Sequence, residues 1–330
     1  MKRRMRLIGM AILVMCGLMG CGMSDVSEIE CENVMLSTGE IDSGAELDFE
    51  NGSDSENSSH SENSRESVNF RGYIDGEGMT LETRVRTPEG YIRTAAEENS
   101  LTSFLRTYPM KADGSEVLLY DGSPKGNQWA HAAVFDLPIE AENLQQCADS
   151  VMRVYAEYCW HTGQAEKLSF HLTNGFLAEY SKWRDGQRIS VNGNEINWTD
   201  SVGYDDSYEC FKKYLRMVFA YAGTLSMDTY EAEPITLEEL QVGNVFLKGG
   251  SPGHVVMVVD ICENGEGEKA FLLGQGYMPA QEFQVIKNPA HLDDPWYYED
   301  EVTYPFRTAE YTFSEGSLKR LSYLSWTESD

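Results

Sequence analysis

Basic residues are scarce in this chain of 330 residues. Lysine and arginine together number 26, against 54 aspartate and glutamate residues, and the formal net charge at pH 7 is -28. A surface with this excess of negative charge repels the phosphate backbone of nucleic acids. We therefore expect no nucleic-acid partner.

The chain also lacks a hydrophobic run long enough to cross a membrane. Its longest apolar run spans residues 7–19, whereas a transmembrane helix needs about 20 apolar residues. Hydrophobic residues make up 41% of the chain, which is enough for a sizeable core in one or two domains. We expect this core in the remainder of the chain, without a membrane-spanning helix.

Cysteine is sparse, with seven residues in the whole chain, so a disulfide framework is excluded for a body of this size. His131, Asp136 and His254 could in principle share a metal ion. No two histidines, however, have the His-x-x-x-His spacing that is typical of metal ligand pairs. We therefore predict no metal site and no cofactor.

The N-terminus has the layout of a secretory signal: basic residues 2–6, the apolar run, and a small residue before a cleavage point. Leu18-Met-Gly-Cys21 resembles the lipobox of bacterial lipoproteins. This resemblance implies cleavage after Gly20 and lipidation of Cys21, with acyl chains attaching an acidic protein to the membrane. The predicted location is extracytoplasmic, anchored in the cell membrane by lipid.

Residues 21–70 are predicted to be the lipidated cysteine and a disordered acidic tether. Residues 22–70 carry thirteen acidic residues and one basic residue, with few aromatic side chains. Such a composition cannot bury enough apolar surface to offset the entropy of the chain. The predicted organisation is a signal peptide over residues 1–20, this tether, and one globular domain over residues 71–330.

The globular part is predicted to be α+β. Apolar residues recur at helical spacing over residues 143–160 and 207–221. Residues 116–120, 130–135, 239–247, 254–260, 269–274 and 282–286 are typical of strands. Residues 187–198 indicate a hairpin that turns at Asn192-Gly193.

The order of residues from Cys210 to Gln275 resembles that of papain-like peptidases of the NlpC and amidohydrolase type, which cleave cell-wall peptides. Cys210 opens an amphipathic helix, Gly253-His254 opens a hydrophobic strand, and Gln275 ends the next strand. The resemblance implies a papain-like half over residues 205–330, preceded by an N-terminal elaboration. It also implies that Cys210 is the nucleophile, His254 the base and Gln275 the residue that orients the base.

Cys147 is a rival nucleophile, because it also lies in the first turns of a predicted helix. It falls on the apolar face of that helix, where a buried inert thiol is the more common outcome. The sequence leaves the choice between Cys147 and Cys210 open.

Residues 72–325 also resemble an uncharacterised bacterial family, domain of unknown function 4846. The stretches that carry this resemblance are Pro88–Tyr91, Leu119–Gly122, Leu144–Asp149, Thr173–Phe176, Tyr221–Thr224, Gly249–His254 and Tyr277–Gln281. Cys147 lies inside one of them and Cys210 lies between two. The family suggests no activity.

Two functions remain open at this point. The first is a membrane-anchored lipoprotein whose papain-like cleft binds a cell-envelope peptide or glycan, such as peptidoglycan, without cutting it. The alternative is a cell-wall cysteine peptidase or amidase that uses a triad of cysteine, histidine and a polar residue. The two hypotheses differ in whether one of the thiols is reactive.

Overall fold

The computed structural model describes residues 70–327. The predicted signal peptide, the lipidation site at Cys21 and the tether up to residue 69 lie outside the described residues. Within the described range, no helix combines the length and the apolar character needed to cross a membrane. The described part is α+β, as predicted.

Seventeen strands and six α-helices form the described part. The strands are β1 (Phe70–Arg71), β2 (Ile74–Asp75), β3 (Tyr91–Arg93), β4 (His131–Val134), β5 (Ser169–His171), β6 (Leu177–Glu179), β7 (Gln187–Asn192), β8 (Glu195–Asp200), β9 (Ala232–Pro234), β10 (Val245–Lys248), β11 (His254–Asn264), β12 (Lys269–Gln275), β13 (Gln284–Ile286), β14 (Tyr297–Tyr298), β15 (Phe306–Arg307), β16 (Thr312–Phe313) and β17 (Leu318–Leu321). The helices are α1 (Leu81–Arg84), α2 (Leu101–Thr107), α3 (Cys147–His161), α4 (Tyr180–Arg184), α5 (Tyr208–Tyr221) and α6 (Thr224–Ser226).

The main sheet has nine strands and an antiparallel arrangement. Seven of them follow the order β4-β13-β12-β11-β10-β17-β9, while β14 pairs with β12 and β3 pairs with β11. The longest strand, β11, is buried from His254 to Cys262, which explains its continuous run of β-branched residues. Because β3 and β4 come from the first half of the chain, both halves build this one sheet.

Helix α3 packs against β11 and β12 and covers the middle of the sheet. Nearly its whole surface is buried, from Ala148 to Cys159. The Tyr155 hydroxyl donates to the carbonyl of Gly243, two residues before β10, at 2.8 Å. The helix is therefore held on the sheet by apolar packing and by a hydrogen bond to the strand entry.

Helix α5 packs against α3 and α4. Phe211 lies against Trp160, with ring centroids 4.8 Å apart, and the Tyr208 hydroxyl lies 3.2 Å from an Arg153 guanidinium nitrogen. The Tyr214 hydroxyl donates to the Ala178 carbonyl in β6 at 2.7 Å. The N-terminal turn of α5 is thus placed beside the C-terminal end of α3.

The predicted strand at residues 116–120 does not form a ladder. Its residues make only isolated bridges, such as Leu119 with Gln281. The backbone N–H of Val117 donates to Gln128 and that of Leu118 donates to Glu282, each at 3.0 Å. Here side chains, and not a neighbouring strand, accept hydrogen bonds from these backbone N–H groups. The pattern of apolar residues along the chain carries no information about such side-chain partners.

Candidate functional site

His254 is the first residue of β11 and is 2% exposed. Gly253, which precedes it, makes a close approach: a Cβ there would lie 2.2 Å from the Gly250 carbonyl oxygen and 2.4 Å from the Thr224 hydroxyl. Only glycine fits in this space without a shift of the backbone. The Gly-His step therefore fixes where the imidazole enters the strand.

Gln275 holds the His254 imidazole from the neighbouring strand. It is the last residue of β12 and is fully buried, and its Oε1 lies 2.8 Å from Nε2 of His254. The sequence predicted this pairing as a base and the residue that orients it, and the structure brings the two side chains together. The other ring nitrogen, Nδ1, is left for a different partner.

Aromatic rings surround the imidazole. The centroids of Tyr277, Tyr311 and Phe313 lie 4.8, 5.0 and 6.1 Å from that of His254. Burial lowers the pKa of His254 to about 4, and the hydrogen bond that the imidazole donates to the Gln275 oxygen opposes this shift. The ring is consequently neutral at pH 7 and can accept a proton at one nitrogen.

Cys147 is the first residue of α3, because residues 143–144 form a turn and residues 145–146 are irregular, where a helix start was predicted. Asn143 accepts a hydrogen bond from the backbone N–H of Ala280 at 2.8 Å, and Gln146 takes the capping position. Cys147 therefore lies at the very N-terminus of the helix. Its side chain is partly buried.

Gly276 docks the start of α3 onto the end of β12. A Cβ at Gly276 would lie 2.0 Å from the Ser150 Oγ and 3.3 Å from the Gln146 carbonyl oxygen. Ser150 lies one helical turn after Cys147, and Gln146 directly precedes it. The first turn of α3 therefore meets the chain at the residue that follows Gln275.

The start of α3 lies against the segment that holds the imidazole. Gly276, which contacts the first turn of α3, stands between Gln275 and Tyr277. Gln275 bonds to His254, and the Tyr277 ring lies beside the imidazole. Cys147 and His254 therefore lie on neighbouring elements around this segment.

The Cys147 thiol is protonated at neutral pH in this arrangement. Burial, and then the Asp149 carboxylate, raise its pKa to about 11, although hydrogen bonds from the backbone N–H groups of Ala148 and Cys147 oppose the increase. Asp149 is itself buried, and burial raises its pKa well above the ordinary value. The site thus holds a neutral thiol and a neutral imidazole.

Cys210 lies in a different part of the molecule. It is 1% exposed, in the first turn of α5, and its backbone N–H donates to the Ser207 hydroxyl at 3.2 Å. Burial raises its pKa, followed by the charge of Asp205, while the Arg188 guanidinium opposes the shift. Residues 147 and 160 are separated by about 20 Å along α3, and α5 contacts the distant end. The structure does not bring Cys210 to His254.

Glu310 extends the site beyond Gln275 and was not found by the sequence reasoning. It lies between β15 and β16 and accepts from Nε2 of Gln275 at 2.6 Å. It also forms a buried ion pair with Lys125. The sequence carried no signal for Glu310, because the residue is remote in the chain and belongs to no motif.

The remaining candidates lie apart from this site. His131 begins β4, with Nε2 3.1 Å from the Ser115 carbonyl oxygen, and borders a cavity of about 370 Å³ that Lys287 also lines.

Cys159 and Cys262 are buried, and burial raises the pKa of each thiol to about 12. Within residues 70–327, no group of three or more His, Cys, Asp or Glu residues is arranged to hold a metal ion.

Residues 81–320 match the family described as domain of unknown function 4846, and the chain belongs to this family. The family resemblance predicted from the sequence is therefore confirmed. No curated protein and no solved structure matches the chain.

Proposed function

We propose that this member of the family is a cysteine peptidase or amidase, anchored outside the cytoplasmic membrane, that cleaves amide bonds in peptides of the cell envelope. The observation that carries the proposal is a contact: the start of α3, with Cys147, lies against Gly276, the residue that follows Gln275, and Gln275 holds His254 at Nε2. A nucleophile, a base and a group that orients the base are the components of covalent amide hydrolysis.

The arrangement around α3 supports a papain-like core. A cysteine starts a helix that packs on an antiparallel sheet, a histidine starts one central strand, and a polar residue ends the adjacent strand. Cys147, His254 and Gln275 also follow one another along the chain in the order of nucleophile, base and orienting residue. In this proposal α3 takes the part that the sequence resemblance assigned to α5, so that Cys147 replaces Cys210 as nucleophile.

The proposed chemistry begins with transfer of the thiol proton. His254 takes the proton from Cys147 while the sulfur attacks the substrate carbonyl carbon, and backbone N–H groups at the start of α3 stabilise the developing oxyanion. The imidazolium then donates this proton to the leaving amine, which leaves a thioester on Cys147. Water, deprotonated by His254, hydrolyses the thioester and restores the thiol.

A lipoprotein that binds a peptide or glycan without cutting it is the second candidate. The raised pKa of Cys147, about 11, favours it, because most cysteine hydrolases depend on a thiol whose pKa is depressed. The neutral imidazole of His254 favours the enzyme, because it can accept the proton during attack. Turnover of substrate distinguishes the two.

The test is digestion of peptidoglycan fragments by the full chain, followed by mass spectrometry of the products. We expect cleavage at an amide bond, and a decrease of about 10³-fold or more in Cys147→Ala. Cys210→Ala is the matched control, since its thiol also lies in the first turn of a helix, and it should retain the activity. Fragments that bind but stay intact would establish the non-cutting lipoprotein instead.

The anchor is proposed on the lipobox-like residues 18–21 and is tested separately. Cys21→Ser should abolish incorporation of labelled lipid and should release the protein from membranes. A Cys21→Ser protein that still takes up labelled lipid would contradict the assignment.

A further inference from the structure

We propose that Glu310 is a positioning residue that fixes the tautomer of His254 through Gln275. The inference rests on the proposed function only for the role of His254 as base. It concerns a residue outside the three that form the proposed triad. Its direct consequence is a property of the imidazole that can be measured without any substrate.

Glu310 acts on Gln275 through its carboxylate. An ionised carboxylate can only accept hydrogen bonds, and Glu310 accepts from three donors. Its Oε2 accepts a hydrogen bond from Nε2 of Gln275 at 2.6 Å and also forms an ion pair with the Lys125 ammonium. Its Oε1 accepts a hydrogen bond from Nδ2 of Asn127 at 3.1 Å. The Gln275 amide must therefore turn its N–H₂ group, which is a donor, toward this carboxylate.

The orientation of the Gln275 amide follows from this contact. An isolated glutamine could present either its oxygen or its nitrogen to an imidazole, and hydrogen-bond partners decide between the two orientations. Because Nε2 must donate to Glu310, Oε1 must face His254. Gln275 is fully buried, so water cannot supply an alternative partner without entering the core.

The tautomer of His254 is fixed in turn. An oxygen at 2.8 Å from Nε2 requires that this nitrogen carry the proton, since a neutral imidazole has one donor and one acceptor nitrogen. Nδ1 then keeps its lone pair and is free to act as the base. In serine proteases, an imidazole in the wrong tautomer lowers the rate by about 10⁴-fold.

A hairpin places Glu310 at this position. Residues 308 and 311 close the turn between β15 and β16, where the Thr308 N–H donates to the Tyr311 carbonyl at 2.8 Å. Tyr311, next to Glu310, contacts the imidazole, and its hydroxyl lies 3.4 Å from the Pro252 carbonyl oxygen. The hairpin therefore positions both the Tyr311 ring beside His254 and the Glu310 carboxylate beside Gln275.

The test uses Glu310→Gln, which keeps the shape of the side chain but adds a donor. Nitrogen-15 NMR of the histidine rings reports the tautomer, and the His254 signal is assigned by its absence in His254→Gln. We expect only the Nε2–H form in the unchanged protein and a population of the Nδ1–H form in Glu310→Gln. The iodoacetamide alkylation rate of Cys147 at pH 7 should fall at least about tenfold.

Two further variants control for a structural effect. Glu282→Gln removes the charge of another buried glutamate that is paired with a lysine, Lys111, and should leave both readouts unchanged. The double variant Gln275→Glu, Glu310→Gln swaps the two side chains. It places a carboxylate, which can only accept, against His254 and should restore the Nε2–H form. If Glu310→Gln does not fold, Glu310→Ala takes its place, since it removes the acceptor without adding a donor.

A single Nε2–H form in Glu310→Gln, together with an alkylation rate within twofold of the unchanged protein, would overturn the inference. This outcome is independent of the proposed function. If peptidoglycan fragments stay intact but the tautomer changes as expected, then the hydrolase proposal fails and the positioning role of Glu310 stands.

Discussion

Cys147 and Cys210 each lie in the first turn of a long helix, yet their surroundings differ completely. Cys147 begins α3, which lies on the central sheet beside the ends of two strands that carry His254 and Gln275. Cys210 lies in α5, which contacts other helices, and its thiol is buried. In the proposed mechanism, a helix N-terminus makes a thiol available for chemistry only where the fold also supplies a base.

The largest expected difference concerns the base. His254→Gln should lower the iodoacetamide alkylation rate of Cys147 at pH 7 by about 10²-fold, because general-base assistance is lost. The rate at Cys210 should not change. Mass spectrometry of the labelled peptides measures both thiols in one sample. Equal alkylation of Cys147 with and without the imidazole would remove the distinction between the two helices.

The dependence of stability on pH should test the α3 site, because the buried imidazole of His254 lies there. The pKa of His254 is about 4 in the folded protein, against an ordinary value of about 6.5 in the unfolded chain. Between these values the unfolded chain binds a proton that the folded protein does not, so stability falls as the pH falls from about 6.5 to about 4. The contribution reaches at most about 3 kcal/mol.

Urea unfolding at pH 7 and at pH 4.5 measures this effect. The loss of stability on acidification should be smaller in His254→Gln, which has no imidazole to protonate. Carboxylates titrate in the same range, but they are common to both proteins and cancel in the difference. An identical loss in the two proteins would show that His254 is not held neutral by burial.

Substitution of Gly276 tests whether the close contact between α3 and the end of β12 sets the surroundings of Cys147 apart from those of Cys210. Gly276→Ala places a Cβ 2.0 Å from the Ser150 Oγ, and we expect a loss of about 1–3 kcal/mol from the resulting shift. Because the shift moves the first turn of α3, the reactivity of Cys147 should fall as well. Gly265→Ala is the control, since no heavy atom lies within 4 Å of its added Cβ. A Gly276→Ala protein of unchanged stability and reactivity would exclude this contact as the one that sets the site.

The smallest expected effect is on stability at the two thiols themselves. Cys210 is 1% exposed, so Cys210→Ala should cost about 1 kcal/mol through the small cavity it leaves. Cys147 is only partly buried, and Cys147→Ala should change stability by less than about 0.5 kcal/mol. Thermal unfolding of the two variants compares them. The reverse order would indicate that Cys147 is the structural thiol.

Much of the fold could be predicted because local patterns carry it. The β-branched run after His254 is a strand, and the amphipathic run after Ser207 is a helix that begins within a residue of the predicted start. The start of α3 was placed four residues too early, because the Asn143 side chain bonds to the distant residue Ala280. That shift matters, since it turns Cys147 from a core-face residue into the first residue of the helix.

The resemblance to papain-like peptidases made Gln275 a candidate. The sequence also predicts the α+β class and the strand that begins at His254, because these depend on neighbours in the chain. It could not choose between Cys147 and Cys210, since both satisfy the same local rule. The tertiary structure brings one helix start to the histidine by the contact at Gly276, and adds Glu310 from a hairpin 35 residues after Gln275. These placements come from packing between elements far apart in the chain, and no local pattern of residues records such packing.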